Sequence, residues 1–334
     1  MNKIDLDYKF KDVKCVKMYS GKYECIVAPS MGAAVLQFRD TENDIEVFRY
    51  DKNVSADTIN EMRQIWGLPT MYLPNRLDRG KLKTSDGFYQ FPINEINKGN
   101  YLHGWVFNRK HEIECYSTQG NKCVLVTSYS FCNDDEMYEC FPLDFKLSYT
   151  FTLSEKGLLQ EIYLTNNSDK ILPVSISTHT CFNAPMCKNG SESTMRISVP
   201  IGKRCELDQR CIPTERLVEL NDWDLEYKNG TKRPTGQALN DDMYTAEMNT
   251  VKGKPFYGSI ITDTSNGHSI YNEVSKEFKF WNMWNDNGDK GYFCIEPMTA
   301  MINAPNLDLP NDISGYHELH KGYTFKCWQR FFTD

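Results

Sequence analysis

The chain has 334 residues, 40% hydrophobic, 25% charged and 13% aromatic, which is enough to bury a large core. Lys and Arg total 38 against 45 Asp and Glu, and the net charge of −7 argues against a protein that grips a nucleic-acid backbone. No apolar run approaches the ~20 residues needed to span a bilayer. The start, "MNKIDLDYKFKDVKC", has no apolar signal region, so a cytoplasmic protein with no membrane or nucleic-acid partner is expected.

In chain order the first clear element is a helix: Ser55 caps "ADTINEMRQIW", with Ile59, Met62 and Trp66 on one face. Period-two alternation then dominates. "CVLVTSYSF" (123–131), "FKLSYTFTL" (145–153), "LLQEIYL" (158–164) and "LPVSIST" (172–178) read as successive strands. "TMRISV" (194–199), "YGSIITD" (257–263), "EFKFWNMW" (277–284) and "YTFKCWQRFF" (323–332) follow. Turn signals such as Ser154-Glu155-Lys156-Gly157 and Asn166-Asn167-Ser168-Asp169 separate neighbours at short spacing. No repeat, low-complexity tract or linker marks a boundary, so residues 1–334 are expected to form a single domain. Many strands, few helices and no βαβ alternation predict an all-β fold, a large antiparallel sandwich. That class alone carries no function.

The 12 cysteines form no Cys-x-x-Cys pair, and in the absence of an export signal they read as reduced thiols packed like small apolar residues. No Gly-x-Gly-x-x-Gly, Walker, His-Glu-x-x-His or Gly-x-Ser-x-Gly motif occurs. Of the six histidines only His317 and His320 approach metal-ligand spacing, and they lie in a charged, solvated stretch. Neither a metal nor an organic cofactor is expected.

Several stretches set an ionisable residue where it would be buried or oriented. "LPNRLDRG" (73–80) carries Asn75 and Arg76, although an ordinary surface arginine is the plainer reading of that stretch alone. "NYLHGWVFN" (100–108) sets His103 beside Trp105, where a hydrogen-bonded core histidine is the plainer reading. In "SISTHTCFNAP" (175–185), His179 ends an alternating strand, a common place for site residues. "LNDDMYTAE" (239–247) pairs Asp241 with Asp242, usually a solvated turn. In "GYFCIEPMTAMINAPN" (291–306), Glu296 sits between Ile295 and Pro297 in an aromatic strand. A carboxylate there costs heavily in desolvation unless donors meet it, and burial raises its pKa toward general-base range. Pro297 is expected to end the strand so that the carboxylate faces a groove.

In this order the stretches resemble the aldose 1-epimerase (galactose mutarotase) family. The resemblance rests on Asn75-Arg76, Leu102-His103-Gly104, His179-Thr180-Cys181-Phe182-Asn183, Asp241 to Tyr244, and Cys294 to Pro297 with Asn303-Ala304. It covers nearly the whole chain, from about residue 30 to 332. It implies a β-supersandwich with a sugar lying across a concave sheet. It also implies Glu296 as catalytic base and His179 as catalytic acid, with Asn75, Arg76, His103 and Asp241 binding the sugar. Members often read His-Pro-Tyr-Phe-Asn where this chain has His179-Thr180-Cys181-Phe182-Asn183, so the shape around the acid differs. Family spacing to Tyr244 selects Asp241, with Asp242 as the alternative.

Interconverting α and β anomers needs one group to take the C1 hydroxyl proton and another to protonate the ring oxygen. A carboxylate and a histidine suit this, because both directions run at one pH. Arg76 would donate to sugar oxygens and Asp241 would accept from hydroxyls. Trp281 and Trp284, three apart on a strand, point to opposite faces, so at most one meets the ligand. The expected activity is anomer interconversion of a free aldohexose, in a monomer or homodimer with no other partner. Rival readings are a hexose-6-phosphate 1-epimerase, suggested by Arg76, Arg79, Lys81 and Lys83, a non-catalytic sugar-binding protein on the same fold, and a glycosidase using Asp241 and Glu296.

Overall fold

The computed structural model describes residues 2–334, apart from the side chain of Asp241. Two eight-stranded sheets dominate it, and the strand pairs within each are antiparallel. The first sheet runs from the Glu112–Gln119 edge through Lys122–Phe131, Phe145–Ser154, Gly157–Asn166 and Thr324–Thr333. It continues through Ser269–Val274 and Gly258–Asp263 to Met195–Ser198. Each predicted strand in this region forms within a residue or two of its expected bounds. Phe145–Ser154 alternates buried and half-buried residues along its whole length, as a strand with one core-facing side must. Ser154 pairs with Gly157, leaving Glu155-Lys156 as a two-residue hairpin loop.

The second sheet carries the site. Its order is Pro213–Val218, Ile201–Leu207, Asn240–Ala246, Phe280–Trp284, Tyr292–Met298, Ser177–Thr178 and Thr70–Met71, with Cys181–Asn183 also paired to Tyr292–Met298. Every residue of Tyr292–Met298 is buried. A smaller five-stranded sheet, from Lys3–Asp5 to Ile45–Glu46, packs into the same core through Met18, Val27 and Phe38. Eight cysteines, among them Cys25, Cys205 and Cys327, are buried, and these three join the hydrophobic clusters as small apolar residues do.

Three expectations need correction. The helix spans only Ala56–Glu61, capped as expected by Ser55, whose side chain accepts from the Thr58 amide. Met62 leaves helical geometry at φ −133°, so it turns outward at 45% exposure instead of sharing the buried face of Ile59. "LPVSIST" divides into Leu172–Val174, paired with His317–Leu319, and Ser177–Thr178 in the second sheet. Pro297 does not end its strand, which continues to Met298. It is tolerated because the neighbouring chain is broken into two short strands at that point, and the carbonyl it would have served takes another donor.

Candidate active site

Glu296 and His179 face each other across the break beside Pro297. Ser177 pairs with Met298 and Cys181 with Cys294, the same register on both sides of the interruption, which sets His179 opposite Glu296. Ile295 donates to the Thr180 carbonyl and Thr299 to that of Ile176, so position 297 would supply the donor for Thr178. Proline has none. The Thr178 carbonyl accepts instead from the Thr180 amide at 2.9 Å, a tight turn whose apex is His179. The result is an imidazole–carboxylate pair with His179 Nε2 3.5 Å from Glu296 Oε1, both side chains about 5% exposed or less.

This pair floors a concave cavity of about 180 Å³ walled by Asn75, Arg76, His103, Trp284 and Met62. Trp284 lies opposite Cys294, two residues from Glu296 and therefore on the same face, and its ring stands 6.0 Å from that of His179. Trp281 points the other way and is 1% exposed, as the strand period requires.

Arg76 opens the strand Arg76–Asp78, which pairs with Asn100–Leu102 so that Arg76 lies opposite Leu102 and next to His103. The His103 amide closes this corner by donating to the Asn75 carbonyl at 2.8 Å. Asn75, His103 and Gly104 all adopt left-handed backbone, at φ 54°, 68° and 66°. Glycine is required at 104, because a Cβ there would lie 2.1 Å from the Tyr72 carbonyl oxygen. Asn303 accounts for the last part of the sequence pattern: its side-chain oxygen accepts from the Asp78 amide at 3.1 Å and pins the Arg76 strand.

The Arg76 fork is held by Glu95, which accepts from Nε and Nη2 at 2.9–3.1 Å, while Nη1 donates to Asn75 Oδ1 at 3.2 Å. Burial works against the Glu95 charge, yet Arg76 and the Asn100 amide hold its carboxyl below the usual range. His103 is driven the other way. Burial first, then the neighbouring His179 and Arg76 charges, push its pKa well below that of free imidazole and keep it neutral. Its ring lies 5.1 Å from that of His179, and its Nδ1 is a buried polar atom with no hydrogen-bond partner among the described residues. Such a group suits hydrogen bonding to a ligand better than delivering a proton.

The structure thus brings together Asn75, Arg76, His103, His179 and Glu296. The side chain of Asp241 lies outside the described residues. Its backbone is the extra residue of a bulge between Asn240 and Asp242 on the strand beside Phe280–Trp284. Asp242 is committed elsewhere: it accepts from Arg204, Trp223 and Tyr227 at 3.3–3.4 Å. Two residues escaped the sequence reading. Glu95 sits in a polar turn with nothing to mark it. Asn282 lies opposite Glu296, fully buried, and both its amide atoms lack partners among the described residues. A polar residue inside "KFWNMWN" was the available signal. A larger hollow of about 370 Å³ lies beside Lys14, Cys15, His111 and Glu112, and among the described residues no ion pair joins that histidine to a carboxylate.

Residues 14–331 match the family model described as aldose 1-epimerase. A galactose mutarotase-like protein from Clostridium acetobutylicum is similar at 30% identity and TM-score 0.95, over 100% of this chain and 98% of that one. A galactose 1-epimerase from Lactobacillus acidophilus has TM-score 0.75 at 14% identity, over 100% and 98% of the two chains, a likeness of fold.

Proposed function

This chain belongs to the aldose 1-epimerase family, and from that premise we propose that it interconverts the α and β anomers of a free aldohexose. The observation that carries the reading is the His179 Nε2–Glu296 Oε1 approach of 3.5 Å at the floor of a sugar-sized cavity. The ring oxygen and the anomeric hydroxyl share C1, so two groups this close can serve both at once. Glu296 takes the proton from the C1 hydroxyl as His179 gives one to the ring oxygen. The C1–O5 bond breaks, C1 becomes an aldehyde, and rotation about C1–C2 presents its other face. Reclosure returns each proton along the same two groups, so the enzyme ends as it began.

Neutral His103 and the Arg76–Asn75 corner would hold ring hydroxyls, with Trp284 offering a flat apolar face. We assign the remaining sugar contact to Asp241, since Asp242 is occupied by Arg204, Trp223 and Tyr227. Arg79, Lys81 and Lys83 are exposed and do not line the cavity, and the fork of Arg76 is bound to Glu95, which favours a free sugar over a phosphorylated one.

Polarimetry of freshly dissolved α-galactose, α-glucose and α-glucose 6-phosphate tests the assignment. Mutarotation above the spontaneous rate is expected with the free sugars and should fall ~10²–10⁴-fold in Glu296→Gln and in His179→Gln. Full activity in Glu296→Gln, or a strong preference for the phosphate, would overturn it. A sugar-binding protein without catalysis would bind these sugars and leave the spontaneous rate unchanged.

A further inference from the structure

His179 has a second ring nitrogen, and two cysteines stand behind it. Nδ1 lies 3.5 Å from Cys181 Sγ, Cys181 Sγ lies 3.1 Å from Cys294 Sγ, and the three atoms fall within 4.8 Å of one another. All three residues are buried. The cluster is a product of the sheet: Cys181 and Cys294, distant in sequence, are direct cross-strand partners, and His179 precedes Cys181 by two.

We propose that His179 Nδ1, Cys181 Sγ and Cys294 Sγ form a three-coordinate site for a soft monovalent metal ion, of which cuprous copper is the type.

The donor set is the first argument. Two thiolates and an imidazole select soft or borderline ions over magnesium or calcium. Bonds of about 2.3 Å to sulfur and 2.0 Å to nitrogen place those two donors roughly 3.5–3.8 Å apart around a first-row ion, the N···S distance already present. The sulfur atoms need to separate by less than about 1 Å, within reach of a χ1 adjustment. On the far side of the ring, Nε2 meets Glu296 Oε1 at 3.5 Å, the imidazole–carboxylate arrangement that commonly orients a metal-bound histidine.

Charge is the second, independent argument. Arg63 is 1% exposed and donates only to the carbonyls of Met31 and Trp66; among the described residues it has no carboxylate partner. Arg49 is clasped between the Trp66 and Tyr292 rings at 4.0 and 3.8 Å, and its amide donates to the Cys181 carbonyl at 2.8 Å. Both guanidinium charges act on Cys181. Binding a monovalent ion to two thiols releases two protons and leaves a complex of net charge −1 near the buried Arg63 and half-buried Arg49 guanidinium groups, whereas a divalent ion would leave a neutral complex.

Occupancy would also govern catalysis, a consequence that rests on His179 being the acid, whereas the metal site itself does not. With Nδ1 metal-bound, the ring no longer exists as an imidazolium that can give up a proton and remain neutral, so mutarotation stops.

The test titrates the fully reduced protein anaerobically with Cu(I) against a chromophoric cuprous chelator. The wild type is expected to retain one equivalent, with thiolate-to-copper ultraviolet absorption. Cys181→Ser and Cys294→Ser should each weaken retention by more than about a hundredfold, beyond the range of an outer-shell effect. Cys115→Ser, which removes an exposed thiol, should retain it fully. No chelator-resistant copper, or copper kept by both buried-cysteine variants, overturns the site, as does retention of Zn²⁺ in preference to Cu(I). If either variant misfolds by circular dichroism, the wild-type melting temperature decides: one equivalent of Cu(I) should raise it, and no rise or a fall overturns the proposal. Retained copper with mutarotation undiminished supports the metal site and overturns the acid role of His179.

Discussion

Arg76 points its charge into the cavity wall, and it is Glu95 that fixes where that charge sits. The two side chains are only 7% and 11% exposed, so the pair is shielded from the screening that makes surface ion pairs weak. Glu95→Gln keeps the volume and one acceptor but removes the charge, so the guanidinium loses that ionic contact and its fixed position. KM for the sugar should rise several-fold with kcat close to wild type, since Arg76 would contact the sugar equally before and during ring opening. Steady-state polarimetry checks this; an unchanged KM would mean the Arg76–Glu95 pair is a strut without a role in binding. The neutral state of His103 fits the binding role expected of it.

At the scale of elements, the break opposite Pro297 does the positioning. Because the proline removes a ladder donor, the Thr178 carbonyl turns back to the Thr180 amide and His179 stands at the apex. Pro297→Ala restores an N–H that competes for that carbonyl and pulls the segment toward a regular strand. Stability should change by no more than ~1 kcal/mol, while kcat falls about tenfold as His179 loses its alignment. Urea unfolding and polarimetry on the same preparation separate the two effects. A wild-type kcat would show that the turn is held by other contacts. Gly104→Ala is the opposite case: its Cβ would meet the Tyr72 backbone at 2.1 Å, so a loss of ~2 kcal/mol or more in stability is expected from urea unfolding.

Across the whole molecule, the first sheet contributes a pH-dependent stability. His111 is 1% exposed and stacked at 4.6 Å on Tyr149, and burial pushes its imidazole down to about 3. The unfolded chain takes up that proton near pH ~6.5 and the native state does not until far lower. The unfolded state therefore binds more protons in this window, and stability falls with falling pH by up to about 1.4 kcal/mol per pH unit from this group. His111→Phe should flatten the acid limb of a plot of urea midpoint against pH. An identical limb would place the acid sensitivity in other groups.

The sequence by itself determined the strand periods and the all-β class, and it named as candidates Asn75, Arg76, His103, His179 and Glu296, which the structure gathers around one cavity. Those features are written locally, as alternation along a strand or as short motifs in a fixed order. Trp284 was legible in part, since the period of two separates it from Trp281. Glu95, Asn282 and the Cys181–Cys294 contact were not legible, because each acquires its meaning from a residue remote in sequence that only register brings alongside. The same holds for Pro297. Read along the chain it signals a strand end, but the tertiary structure keeps it inside the strand. The missing donor is absorbed by a neighbour already broken in two, and that accommodation turns His179 toward Glu296.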